Sequence, residues 1–238
     1  MNHKIKRSIA FCLIVTAILF LLSVFITDNG VVYTGTTKFT IPESGCVLYV
    51  DLDALVMTVY VDGYVFKTYP VSGGTENTPS PVGIWHVNEI SNWGKGFGGS
   101  WIGLDVPWGV YGIHGTKEPW LVGKRNASHG CIRMKDKDVN EVKNLVTIGT
   151  SVQIKQDSLP FRKMGKNMAG SDIYNTQMML KNLGFYTGAI DGIFGEGMER
   201  AVKSFQRTYY MKDDGIIGKK TYEKIVEQNQ IKIRLPSS

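Results

Sequence analysis

The longest uninterrupted feature in the hydropathy pattern is at the start of the chain. From Ser8 to Thr27 no side chain is charged, and residues 9–26 read IAFCLIVTAILFLLSVFI. About 20 such residues at roughly 1.5 Å each reach across the hydrocarbon core of a bilayer. Lys4, Lys6 and Arg7 precede the run. The bias of basic residues places the N-terminus in the cytoplasm and everything after Thr27 outside. A cleaved signal peptide would have an apolar region of about 7–15 residues and a small-x-small cleavage site. Here the run is longer and no good site follows it. Residues 1–27 are therefore expected to form a cytoplasmic tip and a single uncleaved transmembrane helix, with the rest of the chain extracytoplasmic.

The pattern then changes twice. Residues 28–44 are polar with Gly, Thr and Pro, and read as a stalk. From Cys46 short runs of β-branched and aromatic residues take over, among them Val47-Leu48-Tyr49-Val50 and residues 55–61. Asp62-Gly63 between two such runs predicts a tight hairpin. Strand-like pieces recur to Val152-Gln153-Ile154, with one helical stretch at 137–145. Residues 45–155 are thus expected to be a mainly β domain. Residues 156–170 show no apolar periodicity and read as a linker. In the segment 171–238 the period becomes helical. Asp172 is placed to cap a first helix ending near Leu183-Gly184. Met198, Ala201, Val202 and Phe205 mark the inner face of a second helix. Tyr222, Ile225 and Val226 mark that of a third. Asp191-Gly192 and Asp214-Gly215 begin two near-identical turns, each leading into a helix. The prediction is a small three-helix domain.

Charge adds a restriction. Three of the positive charges behind the net +6 precede the apolar run, and residues 28–155 hold 11 basic and 12 acidic side chains. No basic stripe marks the chain as a nucleic-acid binder. Three cysteines do not make a disulfide scaffold. Cys12 lies in the apolar run, and Cys46 reads as a buried strand thiol.

Cys131 stands in different company. Tyr111-Gly-Ile-His114-Gly115 precedes Ser128-His129-Gly130-Cys131-Ile132-Arg133. A thiol attacks carbonyls as its thiolate and needs a neighbouring imidazole or positive charge. His114 is far enough upstream to return on an adjacent strand. His129 shares a face with Cys131 if the chain is extended. Gly130 leaves room for substrate backbone, and the amides of Gly130 and Cys131 are candidate oxyanion donors. Two other readings stay open on these residues. Cys131 is a small buried hydrophobe beside structural histidines, or His114, His129 and Cys131 ligate zinc. The zinc reading lacks a carboxylate base between Glu118 and Asp136.

Ile-His-Gly-Thr followed by Ser-His-Gly-Cys-Ile-Arg-Met resembles the active-site signature of the L,D-transpeptidase family with the YkuD-type catalytic domain. Residues 55–63, Tyr69-Pro-Val-Ser-Gly-Gly, Thr78-Pro-Ser-Pro-Val-Gly and Trp101-Ile-Gly-Leu extend the resemblance over about 46–155. The tail is similar to the peptidoglycan-binding-1 module through Leu183-Gly-Phe-Tyr, Ile190-Asp-Gly-Ile-Phe-Gly and Asp214-Gly-Ile-Ile-Gly.

The resemblance implies a YkuD-like β-sandwich or barrel and an L,D-transpeptidase that uses neither metal nor organic cofactor. Cys131 takes the role of nucleophile and His114 that of general base, oriented by the Gly115 carbonyl. His129 supports donor binding or the oxyanion. Ser128 and Arg133 complete the signature as substrate contacts, Arg133 pairing either with a substrate carboxylate or with a structural partner. Trp93, ahead of the glycine-rich 94–100, is the expected flap residue. The implied partners are peptidoglycan stem peptides and glycan, with the membrane reached through the N-terminal helix. The implied reaction releases D-alanine through a thioester and joins two stems by a 3→3 cross-link. Water as acceptor gives an L,D-carboxypeptidase. A zinc-dependent wall peptidase and a non-catalytic wall-binding protein are the rival functions. The thiol also predicts acylation by carbapenems. The tail is expected to be a separable tether, whose loss spares turnover of small soluble muropeptides.

Overall fold

The structure, a computed structural model, describes residues 41 and 43–234. The expected transmembrane helix at 9–26 and most of the stalk lie outside the described residues. Among the described residues no helix is long and apolar enough to cross a membrane.

Eight strands build the first domain: β1 (Cys46–Asp51), β2 (Val56–Val61), β3 (Tyr64–Pro70), β4 (Gly83–Ser91), β5 (Trp101–Leu104), β6 (Tyr111–His114), β7 (Ile132–Arg133) and β8 (Ser151–Lys155). They form one sheet in the order β3-β2-β1-β8-β4-β5-β6-β7. Asp62 and Gly63 both take positive φ, 51° and 82°, as a two-residue hairpin with matching twist requires. The sheet turns along β4. Residues Gly83 to His86 pair with β8, and Val87 to Ser91 pair with β5, across an irregularity at Val87/Glu89. Its two ends meet without a continuous ladder. Ser72, two residues beyond β3, exchanges both backbone hydrogen bonds with Arg133 of β7, at 3.0 and 2.7 Å. The expected sandwich or barrel is therefore one bent sheet closed by an isolated bridge.

Period-two alternation fills the interior. Leu48 and Val50 of β1 and Val152 and Ile154 of β8 are buried, as are Met57 and Val59 of β2. The strand β5 is buried at all four positions, with neighbours on both edges. Helix α1 (Asp136–Lys143) covers this core with Val139 and Val142. Each such fully buried side chain contributes on the order of 1.5–3 kcal/mol.

Three helices follow: α2 (Ser171–Asn182), α3 (Glu196–Thr208) and α4 (Lys219–Arg234). Helix α2 ends as a Schellman motif. Gly184, at φ 86°, donates to the Lys181 carbonyl and Phe185 donates to that of Leu180. Its start differs from expectation. Asp172 lies inside the first turn rather than at the cap, which is Gly170, and its carboxylate takes Arg162 in a two-point ion pair at 2.6 and 2.8 Å.

The two repeated turns have one physical explanation. Gln177 of α2 is fully buried and encloses the first turn. Its Nε2 donates to Asp191 Oδ1 (2.8 Å) and the Ile193 carbonyl (3.0 Å), while its Oε1 accepts from the amides of Asp191 (3.0 Å) and Gly192 (2.8 Å). Gln206 of α3 treats the second turn alike, reaching Asp214, the Ile216 carbonyl and the Gly215 amide. A small core tolerates buried amides only when they are satisfied, and these are.

The segment 156–170 is not a loose linker. The amides of Asp157 and Ser158 donate to the Asp53 carboxylate. Met164 is buried and exchanges backbone hydrogen bonds with Ile217. Gly170 donates to the Gly192 carbonyl. The helical module is also packed against the catalytic domain. Tyr174 of α2 lies 5.4 Å from Trp85 and 5.7 Å from Trp108, ring to ring. Gly192 sits on the Trp108 indole so closely that a Cβ there would come within 2.2 Å of it.

The clamp gives a stability prediction. Gln177→Ala leaves the Asp191 and Gly192 amides without their acceptor, at about 1–3 kcal/mol for each group left unpaired. Urea denaturation is expected to show a loss of about 2–4 kcal/mol, whereas Lys212→Ala at the exposed surface should change stability by less than about 0.5 kcal/mol.

Candidate active site

The strands β6 and β7 run parallel, with Ile113 opposite Ile132 and His114 opposite Arg133. Ile113 and Ile132 are fully buried in the core. Alternation then sends His114 and Arg133 to the other face. Cys131, two residues before Arg133, falls on that face beside Gly112. The sequence spacing of 17 residues is thereby converted into proximity, with His114 ending β6 and Cys131 directly preceding the β7 that pairs with it. The Gly112 amide donates to the Cys131 sulfur. Position 112 has no room for a side chain, since a Cβ would lie 2.7 Å from the Trp101 indole.

His114 is 7% exposed. Its Nδ1 lies 2.6 Å from the Gly115 carbonyl oxygen. A carbonyl only accepts, so Nδ1 carries the proton and Nε2 is left as a base. Burial lowers the imidazole pKa, the Gly115 hydrogen bond opposes this, and Arg133 lowers it further. Burial raises the pKa of the Cys131 thiol, against the smaller pulls of the Gly112 amide and Arg133. Both groups rest neutral, as thiol and imidazole.

The orienting carbonyl is itself held. Gly115 donates to the Phe97 carbonyl at 3.0 Å, and Thr116 donates to Asp136 Oδ1 at 3.0 Å. Asp136, the first residue of α1, packs so closely that a Cβ on Gly115 would meet its carboxylate at 2.4 Å. Sequence reasoning missed Asp136 as a positioning residue. The available signal was an acidic side chain in a helical first turn, three residues after the Cys-Ile-Arg motif ends in chemistry.

Aromatic rings back the imidazole. Phe97 meets it edge-on at 4.8 Å, and Trp101 stacks on it at 5.8 Å. Trp93 stacks in turn on Trp101, at 4.0 Å and 6°. Glu89 accepts from both indole nitrogens, at 3.0 and 3.1 Å. Trp93 is therefore the outer, exposed ring of a stack that ends on His114.

The signature loop departs from expectation at several positions. Ser128 is 2% exposed and shapes the loop. Its hydroxyl donates to the Cys131 carbonyl (2.6 Å) and accepts from the Gly130 amide (3.0 Å). That amide is thus committed and not aimed at an oxyanion. The room beside Gly130, at φ 119°, is filled by Tyr111, whose ring a Cβ would meet at 2.6 Å. Arg133 pairs with Glu118 at 2.8 Å, the structural alternative of the two considered. His129 is exposed and lines a cleft with Trp108 and Tyr111. Cys46 and Cys131 are both free thiols.

A thiol with a carbonyl-oriented imidazole on the next strand defines a cysteine-dependent acyl-transfer centre. Comparison with known proteins gives the family. Residues 47–154 match the model of the L,D-transpeptidase catalytic domain (YkuD), and residues 169–225 match that described as "Putative peptidoglycan binding domain". "Putative L,D-transpeptidase YkuD" of Bacillus subtilis (strain 168) is 39% identical over 117 residues, 49% of this chain and 68% of that protein. The protein of the same name from Bacillus licheniformis is 40% identical over 106 residues, 44% of this chain and 62% of that one. "Putative L,D-transpeptidase YqjB" of Bacillus subtilis is 30% identical over 124 residues, covering 45% and 70%. The chain belongs to the L,D-transpeptidase family.

The electrostatics set a pH profile. A lowered imidazole pKa keeps the base neutral further into acid, and activity is lost only as pH falls through that lowered value. The acid limb of kcat/KM is expected below about pH 6.5, the ordinary histidine value. The raised thiol pKa means that alkylation of Cys131 by iodoacetamide, with His114→Asn in place, should accelerate only above about pH 8.5. An acid limb above pH 7 would contradict the neutral-pair assignment.

Proposed function

We propose that this protein cross-links the bacterial wall through a Cys131 thioester. Cys131 attacks the carbonyl between the L-centred third residue and the D-alanine at position four of a donor stem peptide. His114 Nε2 takes the thiol proton as the C–S bond forms and returns it to the leaving amine of D-alanine. An amine on a second stem then attacks the thioester, His114 takes its proton, and the restored thiol leaves a 3→3 cross-link. The observation that carries this reading is the Nδ1-to-carbonyl bond of His114, which leaves Nε2 basic on the strand beside the thiol.

Arg133 lies close enough to lower the pKa of both partners, and so assists the thiolate as it develops. With Glu118 neutralising it, Arg133 serves as a fixed local charge more than as a free hand for substrate. The module at 169–225 supports peptidoglycan as the partner. The apolar run 9–26 behind Lys4, Lys6 and Arg7 supports a single-pass anchor that places the catalytic domain outside the membrane. The half-buried, base-assisted thiol also supports acylation by carbapenems, whose strained amide carbonyl presents the same electrophile.

The test is mass spectrometry of products after incubating the protein with a disaccharide-tetrapeptide, beside Cys131→Ala. A joined dimer lacking one D-alanine is the expected product, absent with the variant. Trimming to tripeptide without dimers would replace the cross-linking reading by an L,D-carboxypeptidase. No product at all from folded protein would leave wall binding as the function.

A further inference from the structure

Four exposed apolar side chains of the first domain share one end of its sheet. Tyr64, Val65 and Phe66 open β3 and are 80%, 59% and 49% exposed. β3 is an outermost strand, and among the described residues no strand pairs with its outer edge. Phe66 is the extra residue of a bulge, since Lys67 faces Val59 and Val65 faces Tyr60. Lys67 is the one charge of the strand, and it is paired with Glu141 at 2.6 Å. An edge this apolar is a liability in water unless something covers it. Ile148 is the fourth residue, 63% exposed. It lies in the turn from Thr147 to Thr150 that leads into β8, which starts at Ser151 opposite Val47 of β1. Cys46 of β1 is opposite Val61, and Val61 is opposite Tyr64. Tyr64 and the start of β8 are thus the two sides of one row, three strand spacings or about 14 Å across.

The chain enters the domain in this row. Gly45 donates to Asp62 Oδ1 at 2.8 Å and accepts from the Asp62 amide at 2.9 Å, at the tip of the β2–β3 hairpin. Everything N-terminal of Gly45, the apolar run 9–26 included, therefore joins the domain beside the hairpin. The helical module leaves from the other end. β8 runs parallel to β1 away from the row, Lys155 lies opposite Asp51, and the amides of Asp157 and Ser158 are held there by Asp53.

We infer that this row is a membrane-facing surface, on which Tyr64, Val65, Phe66 and Ile148 rest in the interfacial layer of the bilayer that residues 9–26 enter. The inference rests on the proposed anchor. Residues 28–44 span at most about 60 Å at roughly 3.5 Å each, so the anchor keeps the hairpin near the bilayer without fixing its orientation. The exposed row supplies the orientation. Tyrosine is favoured at the membrane–water interface, and the apolar neighbours add affinity through the area they bury there. With that row against the lipid, the helical module points away from the membrane, toward the polymer that the proposed reaction cross-links.

The full chain carrying Tyr64→Trp, reconstituted in phosphatidylcholine vesicles, tests this by fluorescence. Acyl chains brominated near the headgroup quench an indole lodged among them. The emission added by the substitution is expected to be blue-shifted and quenched at least about twofold by the brominated lipid, while that added by Tyr210→Trp, at an exposed position of the helical module, stays unquenched. Melting temperature reports folding, and if Tyr64→Trp fails to fold, Phe66→Trp decides. Unquenched emission at the wavelength of a solvated indole overturns the inference, and so does equal quenching of both probes. A blue shift without quenching also overturns it, because protein, such as a second copy of the chain on the β3 edge, then covers the strand. Flotation of the vesicles in alkaline carbonate reports separately on the anchor, so an anchored chain with an idle hairpin is distinguishable from a chain without an anchor.

Discussion

Everything at the site depends on two residue pairs. The parallel contact of Ile113 with Ile132 and of His114 with Arg133 is short, yet it decides which face carries Cys131. A slip by one residue would turn the thiol into the core and bring Ile132 out to the imidazole. So short a ladder would fray alone. It is held from the other side by Ser72, which exchanges two backbone hydrogen bonds with Arg133, and from below by the burial of both isoleucines. Met134 extends the register by donating to the His114 carbonyl at 2.9 Å. The closure of the sheet and the assembly of the catalytic pair are the same event.

That register also determines the electrostatics. Packing His114 among Phe97, Trp101 and the sheet removes water from the imidazole and favours its neutral form. The same removal favours the neutral thiol. A ready-made thiolate–imidazolium pair is thereby avoided in the resting protein, and the proton moves when a carbonyl arrives. The chain of supports behind Nδ1 is built from backbone and one carboxylate: Gly115 oxygen, Phe97 oxygen, and Asp136 gripping the Thr116 amide. A carbonyl fixes the tautomer without placing a full negative charge beside the base, and its upward pull on the imidazole pKa is smaller than the lowering by burial.

The second domain follows a different economy. Its two Asp-Gly turns are enclosed by buried glutamines from the preceding helices, so a small core gains order from satisfied hydrogen bonds. One of those turns then contributes Gly192 to the Trp108 face, and α2 adds Tyr174 to the contacting pair Trp85 and Trp108. The internal order of the module and its attachment to the catalytic domain therefore use the same residues.

The order of elements was legible locally. Period-two runs gave the strands, Asp62-Gly63 gave its hairpin, and the i, i+3, i+4 pattern of Met198 to Phe205 gave α3, because each depends on neighbours within a few residues. Cys131, His114 and Gly115 were legible through their motif, since the chemistry constrains those residue types and their spacing. What the motif did not contain was the direction each remaining side chain takes. Ser128 turns back onto its own loop, Gly130 lies against Tyr111 of β6, and Trp93 stacks on Trp101 of β5. Asp136, the Glu118 partner of Arg133 and the packing of Tyr174 on Trp85 depend on pieces of chain brought together only by the closed sheet. Periodicity and motif thus determined which elements and which reactive groups this protein has. Only tertiary structure decided which polar groups hold those reactive groups in place, and that the tail packs on the catalytic domain, because long-range pairings leave no periodic trace in the chain.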